Sequence, residues 1–157
     1  MELIGKTSIH PLIFYSGKFS GYFTWVVMIC SFLDIEIVSV NHFPILRIIG
    51  FILLFIGGVF TVLSLINLGK STRLGLPRED TELKTTGLYQ FSRNPMYVGF
   101  NLLTISSVLF IMNPVVIAAG LYSIFVYHLI IRAEEKFLDA RFGAGYFAYK
   151  KKVRRYL

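Results

Sequence analysis

From Ile45 to Leu68 the chain runs for 24 residues with a single ionisable side chain, Arg47, near the beginning. As a helix rising about 1.5 Å per residue, such a stretch reaches across a hydrocarbon layer about 30 Å thick. In lipid each backbone N–H and C=O must find its partner inside the protein, so a spanning segment of this kind is helical. Arg47 lies close enough to the end to extend its guanidinium to the interface.

Three further apolar blocks extend the pattern. One covers Phe19–Val40 and is strongest in GYFTWVVMICSFL, before Asp34 and Glu36. These two carboxylates are costly at mid-membrane and tolerable near a helix end. The others, Met96–Met112 and Val115–Ile131, are separated only by Asn113-Pro114 and read as a tight helical hairpin. The expected fold is therefore all-α: one integral membrane helical bundle, residues 1–157, with about four transmembrane helices. Between the second and third blocks, Gly69–Pro95 carries three glycines, two prolines and a run of charges, and reads as an irregular loop with one short interfacial helix. After Arg132 charge mixes with aromatics, which predicts a helical tail broken at Gly143-Ala144-Gly145.

Of the sixteen basic residues, all but Arg47 fall on one side of a four-span topology. Cytoplasmic segments collect such cations, so both termini and the long loop are expected in the cytoplasm. The net charge of +7 is thus assigned to anionic headgroups, above all at Lys150-Lys151-Lys152 with Arg154 and Arg155, and nucleic acid is not an expected partner. The one cysteine, Cys30, lies in an apolar run and has no partner for an intrachain disulfide. Met1–Lys18 has no short apolar core followed by a small-residue cleavage site, so no cleavable signal is expected and the first membrane helix directs insertion.

The sequence lacks GxGxxG after a strand, a Walker loop, HExxH, CxxC and G-x-S-x-G. With three scattered histidines and one cysteine, neither a metal site nor a thiol nucleophile is expected. What remains is the mouth of the hairpin. Arg93-Asn94-Pro95-Met96-Tyr97-Val98-Gly99 precedes one helix, Arg132-Ala133-Glu134-Glu135-Lys136 follows the other, and the hairpin should bring them together. Such a place is either a solvated helix end with weak ion pairs or a binding site. As a site it offers a guanidinium fork, amides at a helix start, the Tyr97 ring, backbone accessible at Gly99, and two carboxylates for ribose hydroxyls or an ammonium. That set suits a zwitterionic nucleoside such as S-adenosylmethionine. His128, one turn before Arg132, is a further intramembrane polar group, and Asn67, Lys70 and Arg73 end the second block on the same side.

From Leu83 to Val153 the chain resembles the isoprenylcysteine carboxyl methyltransferases and the related membrane phospholipid methyltransferases. The resemblance rests on Leu83-Lys84-Thr85-Thr86-Gly87-Leu88-Tyr89, the Arg93–Gly99 run, Asn113-Pro114, Arg132-Ala133-Glu134-Glu135, and Phe142-Gly143 followed by Tyr146 and Tyr149-Lys150, in that order. It implies a pocket for S-adenosylmethionine, built by the last two membrane helices and the tail, with a lipophilic or small acceptor bearing a carboxylate, thiol or amine. It implies cofactor contacts at Asn94, Pro95, Tyr97, Gly99, Glu134 and Glu135 and a catalytic role for Arg93; Arg73, which precedes the resemblance, is expected to share that role by orienting an acceptor carboxylate from the end of the second block. Family members often carry histidine where this chain has Asn94. An NADPH-dependent sterol-reductase-like enzyme and a non-catalytic membrane protein remain alternatives.

Overall fold

The computed structural model describes residues 7–69 and 83–157. They form five α-helices: α1 Pro11–Phe32, α2 Pro44–Leu68, α3 Pro95–Ile111, α4 Pro114–Phe142 and α5 Ala144–Lys152. A 3-10 turn at Gly87–Gln90 precedes α3, and no strand occurs among the described residues. The fold is the expected all-α membrane bundle.

Four of the five prolines start the four long helices. At that position a proline has no hydrogen bond to lose and its fixed φ suits the helix. Proline also accounts for the largest departure from the sequence reading. Helix α1 begins at Pro11 and ends at Phe32, eight residues ahead of the expected Phe19–Val40. Asp34, at φ 56°, lies beyond the helix, and with Glu36 it belongs to an exposed loop.

Two helices, α2 and α4, are long and apolar enough to cross a membrane, and α3 is a shorter apolar helix of 17 residues. Large apolar side chains line the outside of α2, including Ile45, Ile48, Phe51, Ile52, Phe55 and Ile66, as lipid contact requires. At 29 residues α4 is about 43 Å long, more than a bilayer core needs. Its apolar part ends at Ile131. The helix continues to Phe142 because Ala133, Glu134, Glu135, Lys136 and Leu138 all favour helix, and it stops where Gly143 adopts φ 49°.

Helix α3 packs most extensively on α2, and α1 on α4, with α3 also touching α1 and α4. Glycines set both seams. A Cβ on Gly99 would lie 2.8 Å from the Thr61 amide nitrogen and 3.0 Å from the Gly57 carbonyl of α2. One on Gly21 of α1 would lie 2.6 Å from Ser123 Oγ of α4. Small residues permit this approach, which in lipid is the main source of helix association. The α3–α4 turn is tight, with Met112 left-handed at φ 46° and Asn113 Oδ1 accepting the Val115 amide at 2.9 Å. The loop after α1 closes this end, where Asn41 donates to the Ile111 and Met112 carbonyls at 3.0 and 2.9 Å.

Candidate active site at the mouth of the helical hairpin

At the opposite end of the hairpin, Asn94 precedes Pro95 at the start of α3, and Glu134 and Glu135 lie one turn past the apolar part of α4. The two stretches meet. Arg93 Nε donates to Glu135 Oε1 at 2.9 Å, and Nη2 makes an ion pair with the same oxygen at 2.9 Å. Asn94 Nδ2 adds a bond to it at 3.2 Å. Asn94 does not cap α3 with its side chain; its amide nitrogen joins α4 and the tail instead.

A third partner comes from the end of the chain. Arg155 Nε donates to Glu135 Oε2 at 2.9 Å and Nη2 lies 2.8 Å from it. The tail backbone is fastened to the same place: Arg93 Nη1 donates to the Val153 carbonyl at 2.6 Å, the Arg93 amide to the Arg154 carbonyl at 2.9 Å, and Asn94 Nδ2 to the Arg155 carbonyl at 3.2 Å. Ser92 Oγ donates to that last carbonyl at 3.3 Å. Beside this clasp Tyr149 donates its hydroxyl to the Tyr89 carbonyl at 2.5 Å, and His128 Nδ1 is 2.7 Å from the Tyr156 hydroxyl. Glu135 is therefore an acceptor already filled, by two guanidinium groups and an amide.

Glu134 differs. Its Oε1 accepts the Tyr97 hydroxyl at 2.9 Å, and that is its one hydrogen bond among the described residues. Burial pushes its carboxyl up to about 7, while the Tyr97 hydrogen bond and the Lys18 ammonium act in the other direction. For Glu135 burial also opposes ionisation, but the hydrogen bonds from Arg155 and Arg93 outweigh it and hold that carboxyl below its ordinary value. The Arg155 guanidinium is in turn held protonated above its ordinary value by its bond to Glu135. Adjacent carboxyls thus have opposite characters, one locked as a charge and one poised to exchange a proton near neutrality.

Of the residues expected in the site, Arg93 and Asn94 bind Glu135 while Tyr97 binds Glu134, two separate sets side by side at consecutive residues of α4, with Pro95 starting the helix that carries Tyr97. Gly99 faces α2 at Thr61 and Gly57, so its missing side chain serves helix packing. Asn67 at the end of α2 lies against Gly87, where an added Cβ would be 2.5 Å from its Oδ1. Arg73 and Lys70 lie outside the described residues. No group of three metal-ligating side chains occurs among the described residues. The sequence reading missed Arg155, which it took with Arg154 as a headgroup anchor, and Lys18, which it counted only among the cations of the cytoplasmic side.

Residues 45–145 match the family model described as Phospholipid methyltransferase. A protein-S-isoprenylcysteine O-methyltransferase of Dictyostelium discoideum is 38% identical over 77 residues, which covers 48% of this chain and 32% of that protein. The protein of the same description from Saccharomyces cerevisiae is 37% identical over 75 residues, 47% of this chain and 31% of its own length. The solved structure of the eukaryotic intramembrane Ras methyltransferase ICMT (isoprenylcysteine carboxyl methyltransferase) superposes on 92% of this chain and 52% of that one, with a TM-score of 0.62 at 22% identity. The bundle is thus a fold seen in an intramembrane protein. The matched region is about a third of the length of each curated relative.

Proposed function

The chain belongs to the phospholipid methyltransferase family, and from that premise we propose that it is a membrane methyltransferase using S-adenosylmethionine, with its site at the hairpin mouth. One observation carries the proposal. Arg93, Asn94 and Tyr97 at the start of α3 contact Glu134 and Glu135 on α4, all within the matched region.

The side chains suit the cofactor, because Glu134 keeps an oxygen without a partner among the described residues and so offers an anionic acceptor to an ammonium or ribose hydroxyl. When bound, S-adenosylmethionine supplies a methyl on a sulfonium whose sulfur leaves as a neutral thioether once an acceptor lone pair takes the methyl. The chain's own work is then placement. Arg93 and Arg155 fix Glu135, Glu135 fixes the tail over the mouth, and Tyr97 orients Glu134. Asn94 stands where relatives often have histidine and contributes amide hydrogen bonds to this frame. Pro95 sets the start of α3, and Gly99 brings α3 close to α2. Arg73, five residues after α2 in the sequence, is assigned to the acceptor.

The acceptor is lipophilic or small and reaches the mouth from the bilayer. Both termini and the 69–95 loop face the cytoplasm, on the strength of the basic residues gathered there. Residues 1–157 work as one domain, with the basic tail on anionic headgroups.

Isothermal titration of the purified, folded protein with S-adenosylmethionine and, separately, NADPH tests the reading. Saturable binding of the first and transfer of labelled methyl to membrane extracts are expected. Tight NADPH binding without any response to S-adenosylmethionine would overturn it in favour of a reductase.

A further inference from the structure

Helix α5 ends in Lys150-Lys151-Lys152, and the three lysines are placed differently. Lys150 Nζ pairs with Asp139 at 2.7 Å, and Lys151 Nζ lies over the Phe147 ring, 4.6 Å from its centre. Lys152 instead lines a groove of about 450 Å³ between α5 and the segment that leads into α3. Gly145, Ala148 and Lys152, spaced by three and four residues, form one stripe along the helix, and Thr85 and Gln90 make the facing wall. The two small residues keep the groove open, and a Cβ on Gly145 would meet nothing within 4 Å. Among the described residues the side chains of Thr85, Gln90 and Lys152 have no hydrogen-bond or ion-pair partner. None of Arg93, Asn94, Tyr97, Glu134 and Glu135 lines this groove.

The geometry points to a second binding site here, for the headgroup of an anionic phospholipid. The groove has the volume of a small-ligand site, and the one charged side chain on its walls is a cation, with a hydroxyl and an amide opposite to donate to phosphate oxygens. Phe91 and Phe147, the sequence neighbours of Gln90 and Ala148, are exposed and present the apolar rings that settle into a membrane surface, which favours a lipid over a free anion. The floor of the groove gives the site a consequence. Tyr149 and Val153 line it, and both also hold the clasp, through the hydroxyl that Tyr149 donates to the Tyr89 carbonyl and the bond that the Val153 carbonyl accepts from Arg93. A bound headgroup thus braces α5 against residues 85–90 and keeps the tail on α3. The inference rests on the membrane fold and not on the methyltransferase reading. It turns the general attraction of the basic tail for headgroups into one site with one decisive lysine.

The test uses the whole chain in nanodiscs of dioleoyl phosphatidylcholine with and without dioleoyl phosphatidylglycerol, read by native mass spectrometry and by hydrogen–deuterium exchange of peptides covering 83–92 and 145–157. The parent should retain phosphatidylglycerol in preference to phosphatidylcholine, and both peptides should exchange more slowly when it is present. Lys152→Gln should weaken phosphatidylglycerol binding about tenfold, as one lost charge-assisted hydrogen bond implies, and Lys152→Arg should restore most of it. Ala148→Phe, an exposed substitution that fills the groove and leaves the charge alone, should abolish the preference with Tm preserved. Lys151→Gln removes the same charge outside the groove and should change the affinity less than about twofold. Equal losses in Lys151→Gln and Lys152→Gln mean diffuse attraction and overturn the inference, as does unchanged binding in a folded Ala148→Phe or a parent without preference between the lipids. Inorganic phosphate that protects the same peptides in detergent without lipid would assign the groove to a free anion and overturn the lipid assignment.

Discussion

Replacing Glu135 by glutamine keeps shape and helix propensity and removes one charge. That charge is held by two arginines, with side chains 6% exposed for Glu135, 10% for Arg93 and 36% for Arg155. Without it Arg93 becomes a buried, unpaired guanidinium, and breaking a buried pair in this way costs about 3–5 kcal/mol. The glutamine oxygen still accepts one bond, and water can reach Arg155, so the lower figure, about 3 kcal/mol, applies. At about 2–4 °C per kcal/mol for a chain of this size, Tm should fall by about 6–12 °C. Because Arg93 also holds the Val153 and Arg154 carbonyls, the loss should start at the tail. Thermal unfolding in detergent, with hydrogen–deuterium exchange of a peptide covering 145–157, reads both effects. A Tm within 2 °C of the parent together with unchanged exchange would refute the clasp.

Arg155→Ala should lower Tm by about 2–4 °C, since a partly exposed pair contributes about 1 kcal/mol, whereas exposed Arg154→Ala should leave it unchanged; equal effects would mean that the pairing with Glu135 is not what distinguishes them. Glu134 has its carboxyl raised on folding from 4.5 to about 7, so the folded chain holds a proton that the unfolded chain releases. Stability from that proton is full below about pH 4.5 and is lost as pH rises to about 7, at most about 3 kcal/mol. Relative to Glu134→Gln, the parent should therefore lose Tm between pH 5 and pH 8, and parallel Tm curves would contradict this. Gly99→Ala forces a methyl against the backbone of Thr61 and Gly57 and should destabilise by about 1–3 kcal/mol, measured as Tm; an unchanged Tm would show that α2 and α3 part freely.

The apolar blocks revealed the bundle because lipid imposes one rule on every spanning segment, and Asn113-Pro114 and Gly143 marked their turns through plain backbone chemistry. The meeting of Arg93 with the Glu134-Glu135 pair could be read from the hairpin alone. Helix α1 was less legible, since Lys18 counted as one of the cytoplasmic cations and hydropathy cannot show that its ammonium turns onto a ring inside the bundle. Arg155 was invisible for a similar reason. It neighbours Arg154 in a basic tail, and only the fold of that tail back onto α3 separates the two. Gly99 read as room for a ligand, but the space it leaves is filled by α2, a long-range contact that local pattern does not carry.

Irradiation of the folded, purified protein with radiolabelled S-adenosylmethionine, followed by peptide mapping, tests the location of the cofactor most directly. The account predicts label that S-adenosylhomocysteine competes away, in peptides containing residues 93–99 or 127–136. Competed label confined to the α1–α2 half of the chain, or no competed label in a folded preparation, would contradict it.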